Sequence, residues 1–261
     1  FGVYLPKIEA DVNRILDNQK MSKSQIIALI LRIISRCSFR LGNLKYEKQN
    51  DSYGITTIRK KHIKIKSDKL IIINFIGKKG VENECHVTDK QAINILKQLY
   101  DIKKDDDHMM MYVDPNSRQW THITHLDINN FLKEYNPTIT SKDFRTFTSN
   151  ILLINKLRNI PEEDMKMGTD TKSKKKQSNI RKKHAITAVK EIAEIVHNTP
   201  AICKKDYIDA DIITLFIDKP ISYRANFITP GNNSRVIFIN WLKKKYKTII
   251  ESNNKKETDN P

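Results

Sequence analysis

The segment HNTPAICKKDYI, residues 197–208, places Tyr207 directly after a Lys-Lys-Asp run. A phenol oxygen can act as a nucleophile when its surroundings activate it, and lysines attract anionic groups. Taken alone, the segment is better explained as part of a helix on which Tyr207 is half-buried. Whether Tyr207 does chemistry therefore depends on the residues that accompany it elsewhere in the chain.

Three further segments contain basic residues that could act with Tyr207: SFRLGNLKYEKQNDSYGITTIRKKHI, INFIGKKG and TSKDFRTF, at residues 38–63, 73–80 and 140–147. In this order and at these intervals, the four segments resemble the catalytic domain of type IB DNA topoisomerases, specifically the small poxvirus-like and bacterial branch. The resemblance runs from the first residues to about Ile213. It is specific because widely separated motifs follow the order of the family.

The resemblance assigns the catalytic residues of the family to individual positions. The arginine of its R-[IV]-G motif falls on Arg40, and the lysine that follows its F-[VI]-G turn falls on Lys78. The arginine of its K-D-[LF]-R-T motif falls on Arg145, with Lys142 as the lysine of that motif. The tyrosine of its N/H-T-P-x-x-x-K-[KR]-x-Y motif falls on Tyr207, which identifies Tyr207 as the expected nucleophile.

The last motif departs from the family pattern at one position. The family usually has G-[HN]-T-P, whereas this chain has His197 where glycine is expected and Asn198 directly before Thr-Pro. Register with Thr-Pro therefore selects Asn198, and not His197, as the residue that contacts the phosphate.

The resemblance implies attack of Tyr207 on a DNA phosphodiester to give a 3′-phosphotyrosyl link. Arg40 and Arg145 would stabilise the charge that develops on the non-bridging oxygens, because a guanidinium stays protonated and donates through a planar fork. Asn198 would add a neutral donor, and Lys78 would give a proton to the leaving 5′-hydroxyl. The link conserves the bond energy, so we expect no ATP, no metal ion and no other cofactor.

Each basic position also has a structural interpretation. Arg40 could cap or pair at the end of the preceding helix, Lys78 could be an ordinary hairpin lysine, and Arg145 could pair with Asp143. These interpretations are favoured for each residue separately. The joint occurrence of Arg40, Lys78 and Arg145 with Tyr207, in the family's order, favours the catalytic interpretation.

Further basic residues are candidates for DNA contact. By the resemblance, the helix that begins at the R-[IV]-G motif lies near the major groove, so Lys45 and Tyr46 are candidates for base contact. Packing of Tyr46 in the core is nearly as good an explanation. Phosphate contacts are expected from lysines in two other motifs, namely Lys142, Lys204 and Lys205.

Composition agrees with a polyanionic partner. The chain has 261 residues, 39% of them hydrophobic, and 47 Lys+Arg against 30 Asp+Glu leave a net charge of +17. This charge favours double-stranded DNA as the partner. No apolar stretch is long enough to span a membrane, and we expect a monomer.

Cysteines and histidines point to no metal site. Cys37, Cys85 and Cys203 lie far apart without C-x-x-C spacing, which predicts buried thiols and no disulfide framework. His122 and His125 lack a second cluster of ligands.

The elements that must position these residues are mostly helical. Apolar spacing predicts helices over residues 5–19 and 23–37, the second capped by Ser22 or Ser24. Apolar and polar residues alternate over residues 54–87, which also contain the turns KSDK and GKKG. This pattern predicts a three-stranded antiparallel meander. Helical spacing then returns. The expected fold class is α+β, mostly α, of the topoisomerase IB and tyrosine recombinase type.

We predict a catalytic domain over residues 1–213, with a mobile linker at 161–179, and a C-terminal extension over 214–261 that ends in a frayed tail. The chain starts without Met, so a missing N-terminal region is expected. An intracellular location is expected: virion, viral factory or cytoplasm for a viral protein, and cytoplasm or nucleoid for a bacterial one.

Two other functions remain open from the sequence. A tyrosine recombinase shares the Arg, Lys, Arg and Tyr set, but it usually has histidine where KDFR has Lys142, and it lacks the spacing of the last motif. A basic DNA-binding protein without catalysis is the second alternative. Covalent trapping on DNA separates an enzyme from a binder.

Overall fold

The structure is a computed structural model that describes residues 1–18, 21–229, 231 and 233–258. The chain forms two compact units. The first consists mainly of Val3–Thr148 and Ala193–Thr199, and the second consists mainly of Ser149–Ile192 and the chain from Pro200 onward.

The first unit begins with a pair of packed helices, α1 (Leu5–Leu16) and α2 (Lys23–Cys37). The Ser22 side chain caps α2 by accepting a hydrogen bond from the backbone N–H of Gln25 (3.3 Å), which confirms one of the two predicted caps. The predicted end of α1 at Gln19 lies outside the described residues. Most of α2 is buried, so it forms the centre of this unit.

A three-stranded antiparallel sheet follows, with β1 (Ile63–Ser67), β2 (Leu70–Ile76) and β3 (Glu82–Val87) in sequence order. Alternate residues of β2 are buried, namely Ile71, Ile73 and Phe75. The predicted meander is therefore confirmed. Its first nine predicted residues instead contain two 3-10 turns, Ile55–Thr57 and Lys60–His62.

The remaining elements of the first unit connect and cover this core. They are α3 (Leu44–Asn50), α4 (Lys90–Ile102), β4 (Met111–Val113), β5 (Trp120–His122), α5 (His125–Lys133) and the start of α6 (Ser141–Arg158). The strands β4 and β5 form a second, two-stranded antiparallel sheet.

The second unit is helical in its described part. It contains the rest of α6, most of α7 (Thr171–Ile195), α8 (Pro200–Asp206), α9 (Ala210–Asp218), α10 (Pro220–Phe227) and α11 (Ser234–Thr258). Aromatic packing holds part of this unit together, since the buried ring of Tyr223 lies 5.2 Å from Phe216 and 4.9 Å from Phe227. The fold class α+β, mostly α with a small sheet, is confirmed.

The structure corrects the prediction of a linker at residues 161–179. A 3-10 turn covers Glu162–Met165, and α7 begins at Thr171, inside the predicted linker. The carboxylate of Asp170 starts this helix by accepting from the backbone N–H groups of Lys172 (2.8 Å) and Ser173 (3.0 Å). Lysine and glutamine are good helix formers, so the helix needs no apolar stripe in its first turns.

The two units do not divide at residue 213. The helix α9 continues from Ala210 to Asp218 across the predicted boundary. The helix α11 extends to Thr258, into the segment for which a frayed tail is predicted, and residues 259–261 lie outside the described part. The functional division into a catalytic domain and an extension stays a prediction.

The prediction for two of the cysteines is wrong. Cys37 and Cys85 form a disulfide, with their Cα atoms 5.6 Å apart, whereas Cys203 is a free, buried thiol. The bonded pair is separated by 48 residues, so spacing alone could not reveal it. The contact arises because the end of α2 packs on β3.

Among the described residues, no helix combines the length and the apolar character needed to cross a membrane.

Candidate active site

A cleft of about 690 Å³ in the first unit contains two of the predicted catalytic residues, Arg40 and Lys78. Its walls come from the segment after α2, from α3, from the turn between β2 and β3, and from residues of α5 and α6. Tyr46 lines the same cleft. Ser141, from the segment at residues 140–147, also lines this cleft. The structure thus brings together residues from three of the four sequence segments.

Arg40 is positioned by the end of α2. Ser38 adopts a left-handed conformation (φ 54°), which ends the helix and turns the chain. Arg40 then lies half-buried, and its Nη1 donates to the backbone carbonyl of His197 (3.0 Å). This bond joins the segment at residues 38–63 to the turn that contains Asn198.

Lys78 is exposed on the tight turn between β2 and β3. The backbone N–H of Gly77 donates to the carbonyl of Val81 (2.8 Å), and the side chain of Asn83 donates to the same carbonyl (2.8 Å). A Cβ atom at position 77 would lie 2.4 Å from the Asn83 amide nitrogen, so a side chain at this position would displace the amide that donates to Val81. The turn presents the Lys78 ammonium to the cleft.

Arg145 lies near the start of α6 and is buried, with 2% of its surface exposed. Its Nη2 donates to the carbonyl of Val196 (2.5 Å), and its Nη1 donates to the carbonyl of Ser38. These two acceptors each lie two residues before a predicted catalytic residue, Arg40 in one case and Asn198 in the other. Arg145 therefore ties together the two segments that contain the predicted catalytic residues Arg40 and Asn198.

The turn after α7 forms a Schellman cap. The backbone N–H of Asn198 donates to Ala193 (2.8 Å), and the backbone N–H of His197 donates to Glu194 (3.0 Å). His197 occupies the left-handed position of this cap, with φ 51°. Glycine is the usual residue there, which explains physically why the family pattern has glycine where this chain has histidine.

The side chains of His197 and Asn198 have different surroundings. The Nε2 of His197 lies 3.1 Å from the carbonyl of Cys37, and its ring packs beside Phe39. Burial lowers the pKa of His197, and the nearby charges of Arg145 and Arg40 lower it further. The Nδ2 of Asn198 is buried and has no hydrogen-bond partner in the described part of the chain.

Tyr207 belongs to the second unit, directly after α8, and 8% of its surface is exposed. Its backbone N–H donates to Cys203 (3.1 Å). Lys204 and Lys205 are exposed on the last turn of α8. The first unit contains the predicted arginines, Lys78 and Asn198.

The side chain of Asn150 holds the backbone around Tyr207. Its Nδ2 donates to the carbonyl of Tyr207 (2.8 Å), and its Oδ1 accepts from the backbone N–H of Asp209 (2.9 Å). Asn150 is buried, with 1% of its surface exposed. Sequence analysis missed this residue, although a lone amide just before the apolar run ILLI of a helix could have drawn attention to it.

The residues predicted to bind DNA in the first unit are on the surface. Lys45 and Tyr46 are exposed on α3, and 59% of the Tyr46 surface is accessible, so packing of Tyr46 in the core is wrong. Lys142 is exposed on the first turn of α6. Within the part of the chain that the structure describes, no three side chains of His, Cys, Asp or Glu lie together in a group that could hold a metal ion.

Residues 1–217 match the family described as "Eukaryotic DNA topoisomerase I, catalytic core", and the chain belongs to this family. The predicted resemblance to type IB topoisomerases is thereby confirmed.

Relatives among viruses cover most of the chain. "DNA topoisomerase 1B" of Acanthamoeba polyphaga mimivirus is 28% identical over 250 residues, which are 94% of this chain and 70% of that protein. "DNA topoisomerase I" of Monkeypox virus and "DNA topoisomerase 1B" of Vaccinia virus (strain Western Reserve) are each 26% identical over 215 residues. That match covers 82% of this chain and 61% of each of those two proteins.

Proposed function

We propose that this chain relaxes supercoiled duplex DNA as a type IB topoisomerase, by cutting one strand through a 3′-phosphotyrosyl link, allowing rotation and resealing the strand. The observation that carries this proposal is the shared cleft of Arg40 and Lys78 in a chain of the topoisomerase I family. Family membership favours this function over a recombinase and over a non-catalytic DNA-binding protein.

In the proposed reaction, the phenol of Tyr207 releases its proton to solvent and its oxygen bonds to phosphorus, while the bond from phosphorus to the 5′-oxygen breaks. Lys78 gives a proton to that 5′-oxygen, so the leaving group departs as a neutral hydroxyl. Its exposure on the turn at the cleft supports this role. Religation reverses both transfers, and no ATP or other cofactor enters the balance.

Negative charge grows on the non-bridging oxygens during attack, and Arg40, Arg145 and Asn198 are proposed to stabilise it. The buried Asn198 Nδ2 supports this role, because no acceptor in the described chain occupies it. Arg145 also fixes the relative position of the other two through the carbonyls of Ser38 and Val196. His197 is proposed to be structural, since its imidazole already contacts Cys37.

Double-stranded DNA is the proposed partner, bound by a monomer. Exposed lysines in the two units, Lys142, Lys204 and Lys205, would contact phosphates, while Lys45 and Tyr46 would face base edges. The viral relatives favour a location in the virion, viral factory or cytoplasm of an infected cell, and cytoplasm or nucleoid is the alternative for a bacterial source.

The proposal is tested by relaxation of a supercoiled plasmid in EDTA without ATP. The wild-type chain should relax the plasmid and form a covalent adduct on a suicide duplex that traps the cut strand. Tyr207→Phe loses only the hydroxyl, so it should form no adduct while duplex binding stays nearly intact. An adduct that persists in Tyr207→Phe, or that maps to Tyr223 or Tyr246, would contradict the assignment.

A further inference from the structure

The helix α3 is held to its unit in an unusual way. Its only buried side chain is that of Glu47, whereas Leu44 and Tyr46 are exposed. A short helix normally docks through apolar side chains, because burying a carboxylate is costly unless partners compensate it. The contacts of Glu47 must therefore hold α3 in place.

Two residues from different segments bind the Glu47 carboxylate. Arg59 donates to Oε1 through both Nε (2.8 Å) and Nη2 (2.6 Å). The Nε2 of His108 lies 2.9 Å from Oε1 and 2.8 Å from Oε2. A carboxylate can only accept, so this histidine nitrogen is the donor.

Both partners are themselves fixed by the backbone. Residues 59 and 108 form an isolated antiparallel β-bridge, and the backbone N–H of Met109 donates to Ile58 (2.9 Å). Arg59 also donates through Nη1 to the carbonyl of Asp106 (2.7 Å). The anchor of α3 is therefore a rigid hydrogen-bonded frame.

The electrostatics of Glu47 agree with an ionised anchor. Burial by itself would raise the pKa of Glu47, but the hydrogen bonds from His108 and Arg59 outweigh burial and hold this pKa below its ordinary value. Glu47 is thus a charged acceptor at neutral pH. Both of its oxygens are engaged by donors of fixed direction.

The exposed residues Tyr46 and Asn50 of α3, together with its N-cap Asn43, line the cleft that contains Arg40 and Lys78. Successive residues of a helix point about 100° apart, so the direction of Glu47 also fixes that of Tyr46. An apolar contact would allow the helix to rotate or slide by small amounts. A forked contact between a carboxylate and two donors resists both motions.

We propose that Glu47, held by Arg59 and His108, is a positioning residue that orients α3 in the DNA-binding cleft and thereby sets the sequence preference of cleavage. This inference rests on the proposed topoisomerase function. It assigns to Glu47 no contact with DNA. It predicts that sequence discrimination depends on the geometry of the anchor as well as on its charge.

Two variants test the anchor. Glu47→Gln replaces one acceptor oxygen by an NH₂ group that faces the donors of Arg59 and His108. Arg59→Lys keeps the charge but cannot form the fork. With a duplex library randomised around the cleavage site, the ratio of single-turnover rates between preferred and other sequences should fall about 10-fold in both, as expected for one lost base contact.

Asp89→Asn is the matched control. Asp89 is a partly buried carboxylate of the same unit that pairs with Arg32, and α3 does not contribute to that pair. The control should lose stability but keep the wild-type preference. Hydrogen exchange supplies a second measurement, because the backbone amides of residues 43–51 should exchange faster in Glu47→Gln and not in Asp89→Asn.

An unchanged preference in both anchor variants, or an equal loss in Asp89→Asn, overturns the inference. So does a wild-type chain that cleaves all sequences equally. A wild-type chain that cleaves no duplex overturns the proposed function itself, which distinguishes the two failures.

Discussion

At the residue scale, His197 and Asn198 are neighbours with opposite surroundings. His197 adopts the left-handed conformation, which costs a non-glycine residue roughly 1–2 kcal/mol. Its imidazole contacts with Cys37 and Phe39 offset that cost. Asn198 has an ordinary place in the cap, and its buried Nδ2 lacks a partner among the described residues.

This contrast gives the first prediction. Asn198→Ala removes one donor to the developing charge, so its single-turnover cleavage rate should fall on the order of 10²–10³-fold. His197→Gly restores the residue that the cap favours and should cleave at close to the wild-type rate. Asn198→His should remain active, because an imidazole can offer an N–H in the same place. If His197→Gly cleaves more slowly than Asn198→Ala, the assignment of Asn198 as the phosphate-contacting residue is contradicted.

Lys78 gives a second prediction at this scale. Lys78→Ala should slow cleavage of ordinary DNA by roughly 10²–10⁴-fold, the range of a lost general acid. A substrate with a 5′-phosphorothiolate needs no proton for its leaving group, so it should restore the rate of this variant. Lys79→Gly is the control, since Lys79 lies next in the same turn in a left-handed conformation. Absence of rescue would remove Lys78 from the acid role.

At the element scale, regular patterns predicted regular structure. Alternation over β1 to β3 and the capping serine of α2 were enough to find those elements. The strands β4 and β5 have three residues each, too few for a period to appear. The burial of Glu47 depends on Arg59 and His108, which are distant in sequence, so local spacing could not reveal it.

The candidate site was predictable only as far as its motifs reach. The resemblance located Arg40, Lys78, Arg145, Asn198 and Tyr207, but it gave no sign that Arg145 is buried between two carbonyls. The side chain of Asn150 bonds to Tyr207 and Asp209, which lie 57 and 59 positions further along the sequence. Such a contact follows from tertiary packing of α6, which no local pattern encodes.

The clamp on Tyr207 yields the prediction at this scale. Asn150→Asp keeps the acceptor for Asp209 but turns the donor to Tyr207 into an acceptor, so two oxygens would face each other at about the 2.8 Å of the present bond. Cleavage should fall at least about 10-fold while duplex binding persists, with roughly 1–3 kcal/mol of stability lost.

Ser149→Ala is the control on the same helix. The buried Ser149 hydroxyl has no hydrogen-bond partner among the described residues, so its removal should be nearly neutral. Equal rates of adduct formation by Asn150→Asp and the wild-type chain would show that the clamp does not position Tyr207 for the proposed attack.

At the scale of the whole molecule, positive charge is in excess by 17. Such an excess attracts DNA, but it also repels itself within the compact state. The buried carboxylate of Glu47 is paired with Arg59, and the partly buried carboxylate of Asp209 is paired with Lys245. Any further charging of the folded chain, for example by protonation of buried histidines, is therefore unfavourable.

Besides His197, two histidines have lowered pKa values and make the free energy of unfolding depend on pH. Burial, together with the charges of Lys61 and Arg59, lowers the pKa of His62 to about 4. Burial, together with the charge of His108, also lowers the pKa of His122 to about 4. The Nδ1 of His62 accepts from the backbone N–H of Arg59 (3.0 Å), which requires the neutral ring.

In the unfolded chain, both histidines should titrate near the ordinary value of about 6.5. Between about pH 6.5 and 4, the unfolded state therefore binds more protons than the folded state, and the free energy of unfolding rises with pH. Their stabilisation is complete above about pH 6.5 and is lost as the pH falls toward 4. Urea unfolding at several values between pH 4.5 and 6.5 measures this slope.

His62→Asn should reduce that slope by roughly one proton, because an amide oxygen can accept from Arg59 and does not titrate. His86→Asn, at an exposed histidine of β3, is measured in parallel as the reference substitution. Carboxylates whose pKa is lowered in the folded chain, such as Glu47, add to the slope at the acid end of this window, so the difference between His62→Asn and the wild-type chain isolates the contribution of His62. An unaltered slope in His62→Asn would mean that the ring of His62 does not stay neutral in the folded chain, and that another group carries the pH dependence.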